Sequence, residues 1–126
     1  MRLWHEDLID KLPSKQLLGQ HREVCALRGM SWGKKHSVVD YVFTYPYFYL
    51  YVYHCLIMDE MENRGYSVNE VWKDYRYRGI QLGYDVSNFT EYKAIDRHPI
   101  YIEHDNNYLK ECLENLKLKG IDVEYT

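Results

Sequence analysis

The stretch "LPSKQLLGQHREVCALRGMSWGKKH", residues 12–36, begins with the pattern of an amphipathic helix and ends as a basic loop. Ser14 is the expected N-cap of this helix, because its side chain can accept a backbone hydrogen bond there. Apolar residues then recur at helical spacing from Leu17 to Val24, and Gly29 ends the pattern. This segment predicts a first long helix with one apolar face.

Glu23 lies on the opposite side of that helix. At about 100° per residue it points away from the apolar face, between the small residues Gly19 and Ala26, with Arg22 about a quarter turn to the side. The small neighbours leave room for a ligand or another chain segment to reach the carboxylate. Helix geometry alone favours a plain solvated glutamate over a working one.

The rest of the chain predicts a mainly α fold. A second long helix is expected from about residues 45–46 to Arg64, and a third from about Asp105 to Lys119. A short helix is expected near "SVNEVWKDY" with Ser67 as its cap, and residues 75–102 have an irregular pattern. Strand patterns are confined to residues 100–102 and 121–123. We therefore expect one domain over residues 1–126, a compact bundle of about three long helices with a long irregular loop segment.

Composition narrows the functional class. The net charge is −3, but residues 1–50 carry seven Lys/Arg against five Asp/Glu, so a phosphate-binding face would belong to the N-terminal half. The 14 tyrosines predict an interior in which many hydroxyls need hydrogen-bond partners. The three cysteines are far apart, which is typical of reduced thiols in the cytoplasm. Residues 41–58 lack charged side chains, but their tyrosines and proline favour a buried helix over a membrane span.

Two further groups of residues carry an ambiguous signal. The histidines have no HxxxH or HExxH spacing, and His21 lies on the apolar face, so we expect no metal site and no cofactor. Trp32, Lys34 and Lys35 form a basic aromatic loop that would suit phosphate binding and base stacking. A plain soluble loop with one anchoring tryptophan is an equally good interpretation.

Several segments resemble the endonuclease V-type pyrimidine dimer DNA glycosylases. In "LPSKQLLGQHREV" a leucine-rich turn leads into Arg22–Glu23, as in the first helix of that family. Residues 1–4, "MRLW", look like the opening of bacterial members. "CLIMDEMENRGYSV" is similar to the second long helix of the family, and "HDNNYLKECLENL" stands where its third helix occurs. The resemblance covers most of the chain, and Arg22–Glu23 is its most specific part.

The resemblance implies a definite chemistry. Family members use the N-terminal α-amine to attack C1′ of a damaged nucleotide, release the base, form a Schiff base and break the strand by β-elimination. A glutamate matching Glu23 handles protons, and arginines matching Arg2 and Arg22 grip phosphates. Methionine removal is not expected before a residue as large as Arg2, so the nucleophile would be the amine of Met1. An α-amine has a pKa of about 7.7–8.0, which leaves a neutral fraction at pH 7.

The sequence therefore predicts a DNA repair glycosylase and AP lyase of the cytoplasm, a monomer that acts on double-stranded DNA with a damaged or abasic site. Its predicted catalytic residues are Met1 and Glu23. The predicted DNA-binding residues are Arg2, Arg22, Arg28, Trp32, Lys34 and Lys35. Two alternatives stay open at this point: a non-catalytic nucleic-acid-binding relative of the same fold, and a helical domain that binds a small molecule or another protein.

Overall fold

A computed structural model describes residues 2–29, 37–85 and 99–124, with only the backbone described for Ser37 and Val38. Three α-helices dominate it: α1 (Ser14–Arg28), α2 (Tyr47–Asn63) and α3 (Asn106–Leu118). Three short 3-10 helices cover Glu6–Lys11, Ser37–Thr44 and Glu70–Lys73. The predicted mainly α bundle with three long helices is confirmed.

The strand patterns at residues 100–102 and 121–123 do not form strands. The described residues contain no strand, and their one isolated bridge pairs Tyr77 with Tyr84. Residues 100–102 instead form a turn ahead of α3, in which the His104 amide donates to the carbonyl of Tyr101 at 2.9 Å. Ile121 closes the end of α3 by donating to the carbonyl of Leu116 at 2.9 Å. Local turn closure therefore replaces sheet pairing at both places.

Helix α1 begins and ends almost as its sequence indicates. The cap position is taken by Pro13 and no side chain caps it, so the prediction that Ser14 is the N-cap is wrong. Ser14 is the first helical residue, and its hydroxyl accepts a hydrogen bond of 3.3 Å from Arg64. Gly29 ends the helix by donating its backbone N–H to the carbonyl of Cys25 at 3.2 Å.

Helices α1 and α2 pack against each other and form the main core. Leu17, Val24 and Leu27 of α1 and Leu50 and Ile57 of α2 have no exposed surface. Burial of such side chains contributes about 1.5–3 kcal/mol each, so this contact is the main stabilising one. Helix α2 ends at Asn63, and two residues later the chain turns at Gly65, whose φ of 91° suits a residue without a Cβ.

Helix α3 covers the beginning of the chain. The Asp105 carboxylate accepts a hydrogen bond of 2.8 Å from the Tyr108 backbone N–H and caps the helix. The short helix at Glu70–Lys73 is capped by Asn69 and not by Ser67 as predicted. A second core cluster joins α3 to residues 4–12, and its buried members are Trp4, Leu8, Leu12, Leu109, Cys112 and Leu116.

Two further properties of the described residues concern membrane-spanning helices and cysteine pairing. None of their helices is long and apolar enough to cross a membrane. Cys25, Cys55 and Cys112 are all free thiols. Cys112 is buried and the other two are half-buried.

Candidate active site at the start of the chain

The buried side chain of Gln20 connects the start of the chain to Glu23. Gln20 lies on α1 and has no exposed surface. Its Oε1 accepts a hydrogen bond of 2.7 Å from the Trp4 backbone N–H. Its Nε2 donates to the Arg2 carbonyl at 3.0 Å and to Oε1 of Glu23 at 3.3 Å. One amide group therefore holds the backbone of residues 2–4 beside the Glu23 carboxylate.

The other two long helices hold the same backbone segment. The Tyr53 hydroxyl of α2 lies 2.6 Å from the Trp4 carbonyl and 2.9 Å from Oε1 of Gln20, so its one proton serves both acceptors. The Tyr108 hydroxyl of α3 donates to the Leu3 carbonyl at 2.5 Å. Buried polar groups are costly unless they are paired, so these bonds fix the position of residues 2–4. We call Gln20, Tyr53 and Tyr108 together the anchor of residues 2–4, and each long helix contributes one of these side chains.

Glu23 is half-buried and keeps most of its hydrogen-bonding capacity. In the described part of the chain its carboxylate has no salt-bridge partner, and Gln20 is the one donor to it. A carboxylate accepts about four hydrogen bonds, so this one has capacity left for a substrate or an amine. A Cβ on Gly19 would lie 3.8 Å from Nη2 of Arg22, which places the Arg22 guanidinium in the space beside this glycine.

The two arginines next to this anchor differ in their surroundings. Arg22 is exposed on α1. Arg2 is mostly covered, with 22% of its side chain exposed, and its Nη1 lies 3.3 Å from Oε1 of Glu111. Its guanidinium also lies 6.0 Å from the centre of the Tyr108 ring. Arg2 lines a small cleft of about 270 Å³ together with Tyr41, Glu103, Tyr108 and Glu111.

Arg28 is not available to DNA, and its prediction as a DNA-binding residue has to be corrected. Its side chain has no exposed surface. Nε donates to the Tyr47 hydroxyl at 2.7 Å, and the two Nη groups donate to the carbonyls of Trp72, Asp74 and Tyr77 at 2.8–2.9 Å. The guanidinium also lies 4.9 Å from the Trp72 ring centre. Arg28 therefore fastens residues 72–77 to α1.

The other predicted site residues lie outside the described part of the chain. They are Met1, Trp32, Lys34 and Lys35. Of the predicted site residues, the structure thus describes Arg2, Arg22, Glu23 and Arg28. The Arg2 carbonyl and the Glu23 carboxylate both accept hydrogen bonds from the side-chain amide of Gln20.

Sequence reasoning missed the residues that build the anchor. Gln20 is three residues after Leu17 and four before Val24. That spacing puts it on the buried stripe of α1, which was the available signal. Nothing in the sequence distinguishes Tyr53 and Tyr108 from the other tyrosines, of which the chain has 14 in all. The sequence predicts only that buried tyrosine hydroxyls need hydrogen-bond partners.

A comparison with known protein families gave a match to this chain. Residues 1–74 match the model of a protein family described as pyrimidine dimer DNA glycosylase. The matched range contains α1 and α2 with Gln20, Glu23 and Tyr53. Searches of curated proteins and of solved structures found no significant match.

Proposed function

The chain belongs to the pyrimidine dimer DNA glycosylase family, and we propose that it is a DNA repair glycosylase with AP-lyase activity. Its substrate is double-stranded DNA with a damaged or abasic site. Met1 supplies the nucleophilic α-amine, and Glu23 handles the protons. No metal or organic cofactor takes part.

The observation that carries this proposal is the shared amide of Gln20. It donates to the Arg2 carbonyl at 3.0 Å and to the Glu23 carboxylate at 3.3 Å. Met1 is joined directly to Arg2, and adjacent Cα atoms are about 3.8 Å apart. The anchor therefore limits how far the α-amine can lie from Glu23. A nucleophile next to a carboxylate with free capacity is the arrangement that amine catalysis needs.

The chemistry follows from these two groups. The neutral amine forms a bond to C1′, and the glycosidic bond electrons leave with the base, which takes up a proton. Glu23 accepts the proton that the amine loses and stabilises positive charge on the sugar and on the Schiff base. The C1′–O4′ bond of the sugar then breaks and O4′ takes up a proton, which leaves the Schiff base between C1′ and the nitrogen. Removal of a C2′ proton then expels the 3′ phosphate and breaks the strand. An enzyme that works on a nucleotide in a duplex also has to draw that nucleotide out of the stack.

Arg2 and Arg22 are the proposed phosphate contacts among the described residues. Arg22 is exposed on the helix that carries Glu23, and the Arg2 backbone is held by the anchor. Trp32, Lys34 and Lys35 stay proposed DNA contacts on the evidence of the sequence, since the N-terminal half holds the excess of positive charge. Arg28 has no part in it because its hydrogen bonds are made inside the protein.

The test replaces the carboxylate without changing its shape. Glu23→Gln is compared with Glu114→Gln, which alters an exposed glutamate on α3. The substrates are duplexes with one pyrimidine dimer or one abasic site, and strand scission and borohydride-trapped adduct are measured. We expect Glu23→Gln to lower the scission rate by about 10²–10⁴-fold, because proton transfer contributes that much. Glu114→Gln should behave as the parent protein.

Equal scission by the two variants would remove Glu23 from the mechanism. A parent protein that binds the duplex with strong salt dependence but forms no adduct would identify the chain as a non-catalytic relative. Thermal unfolding of both variants is the control for folding, because a half-buried glutamine is expected to keep the hydrogen bond from Gln20.

A further inference from the structure

A cluster of three metal-ligating side chains lies between α1 and α2. His21 and Cys25 are four residues apart on α1 and so share one face of the helix. His54 faces them from α2, with its Nε2 at 2.9 Å from Nδ1 of His21 and at 3.9 Å from Sγ of Cys25. Sγ of Cys25 lies 4.0 Å from Nδ1 of His21. His54 is buried and the other two are half-buried, so the cluster is open to solvent on one side.

These separations are close to those of a tetrahedral metal site. With Zn–N bonds of about 2.0–2.1 Å and a Zn–S bond of about 2.3 Å, nitrogen ligands lie about 3.3 Å apart and a nitrogen and a sulfur about 3.6 Å apart. The three atom pairs of the cluster differ from these values by about 0.3–0.4 Å. Rotation of half-buried side chains is enough for such a change. Imidazole nitrogen and thiolate sulfur are also the donor types that soft ions prefer.

Arg28 sets the protonation of the cluster without an ion. Its Nη1 lies 2.9 Å from Nδ1 of His54, and because a guanidinium can only donate, Nδ1 accepts. The proton of neutral His54 is therefore on Nε2, and it is donated to Nδ1 of His21. An ion on Nε2 would move this proton to Nδ1 and break the contact with Arg28. Arg28 would keep its four other hydrogen bonds.

We propose that His21, Cys25 and His54 bind one soft, thiophilic d10 cation, Zn²⁺ or Cu⁺, that bridges α1 and α2. The Cys25 thiol loses its proton to solvent and binds as thiolate, which offsets one positive charge next to Arg28. Both histidines bind as neutral imidazoles. The remaining coordination position faces solvent. Since a thiolate and Cu⁺ together add no net charge, the buried guanidinium opposes Cu⁺ less than Zn²⁺.

This site is separate from the proposed catalytic centre. Glu23 lies midway between His21 and Cys25 in sequence, and two residues on a helix are about 200° apart. The cluster therefore occupies the other side of α1 from the Glu23 carboxylate. An ion there would stabilise the α1–α2 contact and would not touch the groups proposed to act on DNA.

The test measures metal binding to the full chain and does not depend on DNA cleavage. Metal-free protein is titrated with Zn²⁺, and separately with Cu⁺ under anaerobic reducing conditions, against a competing chelator. We expect one ion per chain and a rise in Tm, because an ion that binds only the folded state stabilises it. Co²⁺ serves as a spectroscopic probe and should give a thiolate-to-metal absorption band.

Cys25→Ser and His21→Gln are the test variants, and Cys55→Ser is the matched control, because Cys55 is also half-buried on α2 but outside the cluster. Both test variants should weaken binding by about tenfold or more, while Cys55→Ser and Glu23→Gln bind as the parent. The proposal is overturned if neither ion binds at one per chain, or if Cys25→Ser binds as tightly as Cys55→Ser. The Tm of each variant without metal shows whether that variant folds. If one of the two test variants does not fold, metal binding by the other one decides the result.

Discussion

Helix α1 carries two arginines only six positions apart that the structure treats in opposite ways. Arg22 is exposed beside Glu23, near the anchored start of the chain. Arg28 has no exposed surface and donates hydrogen bonds to a tyrosine hydroxyl and three backbone carbonyls. Both were predicted to bind DNA, and for Arg22 the family resemblance implied it. Charge alone thus says little about role, and the partners of a side chain decide it.

A similar difference separates the carboxylate of Glu23 from the amide of Gln20 on the same helix. From the residues that the structure describes, Glu23 accepts one hydrogen bond at a half-buried position, whereas Gln20 has its donor and acceptor groups paired inside the core. The hydrogen bonds of Arg28 hold parts of the folded chain together. The Glu23 carboxylate is the group proposed to transfer protons. Substitutions around Arg28 and around Glu23 should therefore separate loss of stability from loss of activity.

The largest effect on folding is expected from Arg28→Met. The change removes the donor to the Tyr47 hydroxyl, to Nδ1 of His54 and to the carbonyls of Trp72, Asp74 and Tyr77. The Asp74 carbonyl keeps the Tyr77 N–H at 3.0 Å and the Tyr77 carbonyl keeps the Tyr47 hydroxyl at 3.4 Å, while each group left unpaired costs about 1–3 kcal/mol. We expect the free energy of unfolding in urea to fall by about 3 kcal/mol or more. Arg22→Met on the same helix is the control. A loss below about 1 kcal/mol for Arg28→Met would show that these bonds are not needed to hold residues 72–77.

The next largest effect should come from Gln20→Leu, which removes one side chain of the anchor and keeps the volume. The Trp4 N–H and the Arg2 carbonyl then lose a buried partner, so we expect a loss of about 2 kcal/mol in stability. DNA strand scission should fall further than stability explains, because the chain start is no longer held beside Glu23. Gln16→Leu, on the same helix, is the control. Unchanged scission by folded Gln20→Leu protein would contradict the role of the anchor.

A pH effect is expected from His104, whose ring stacks on that of Tyr108 with the ring centres 5.0 Å apart. Burial and the nearby His5 lower its pKa from the usual 6.5 to about 3, although Asp105 and Asp7 act in the other direction. The unfolded state therefore binds a proton between these values while the folded state does not. Stability should fall as pH drops from 6.5 toward 3, by up to about 1.4 kcal/mol per pH unit from this group. The slope of unfolding free energy against pH should be smaller in His104→Gln, and an equal slope would exclude His104 as its source.

The smallest effect on stability is expected from Arg22→Ala. Its side chain is exposed, so the free energy of unfolding should stay within about 0.5 kcal/mol of the parent. Its effect should appear in DNA binding instead, where the slope of log affinity against log salt should decrease by about 1 for one lost phosphate contact. Lys110→Ala, an exposed change on α3, is the control. A salt slope equal to that of the control would remove Arg22 from the proposed phosphate contacts.

Much of the fold could be predicted from the sequence, because the helices have clear periodicity and stop signals. The end of α1 at Gly29, the end of α2 before Gly65 and the start of α3 after Asp105 follow from local chemistry. The predicted caps at Ser14 and Ser67 were wrong by one or two positions. Pro13 takes the cap position of α1 without a side-chain bond, and Asn69 caps the short helix with its side chain.

The site was harder to predict because its geometry depends on contacts that are distant in sequence. Glu23 could be singled out from its small neighbours and from the family resemblance. The bonds that place the chain start beside it come from α1, α2 and α3 at separations of 16 to 105 residues. The burial of Arg28 depends likewise on residues 72–77. The cluster of His21, Cys25 and His54 has no HxxxH pattern, because its two residues on α1 are a histidine and a cysteine.

The most direct test of the central claim is to find which amine attacks the sugar. The protein is incubated with abasic duplex and borohydride, the adduct is digested, and the modified peptide is identified by mass spectrometry. We expect the DNA remnant on the α-amine of Met1, and we expect acetylation of this amine to abolish the adduct. A remnant on a lysine side chain, with full adduct formation by the acetylated protein, would contradict this expectation.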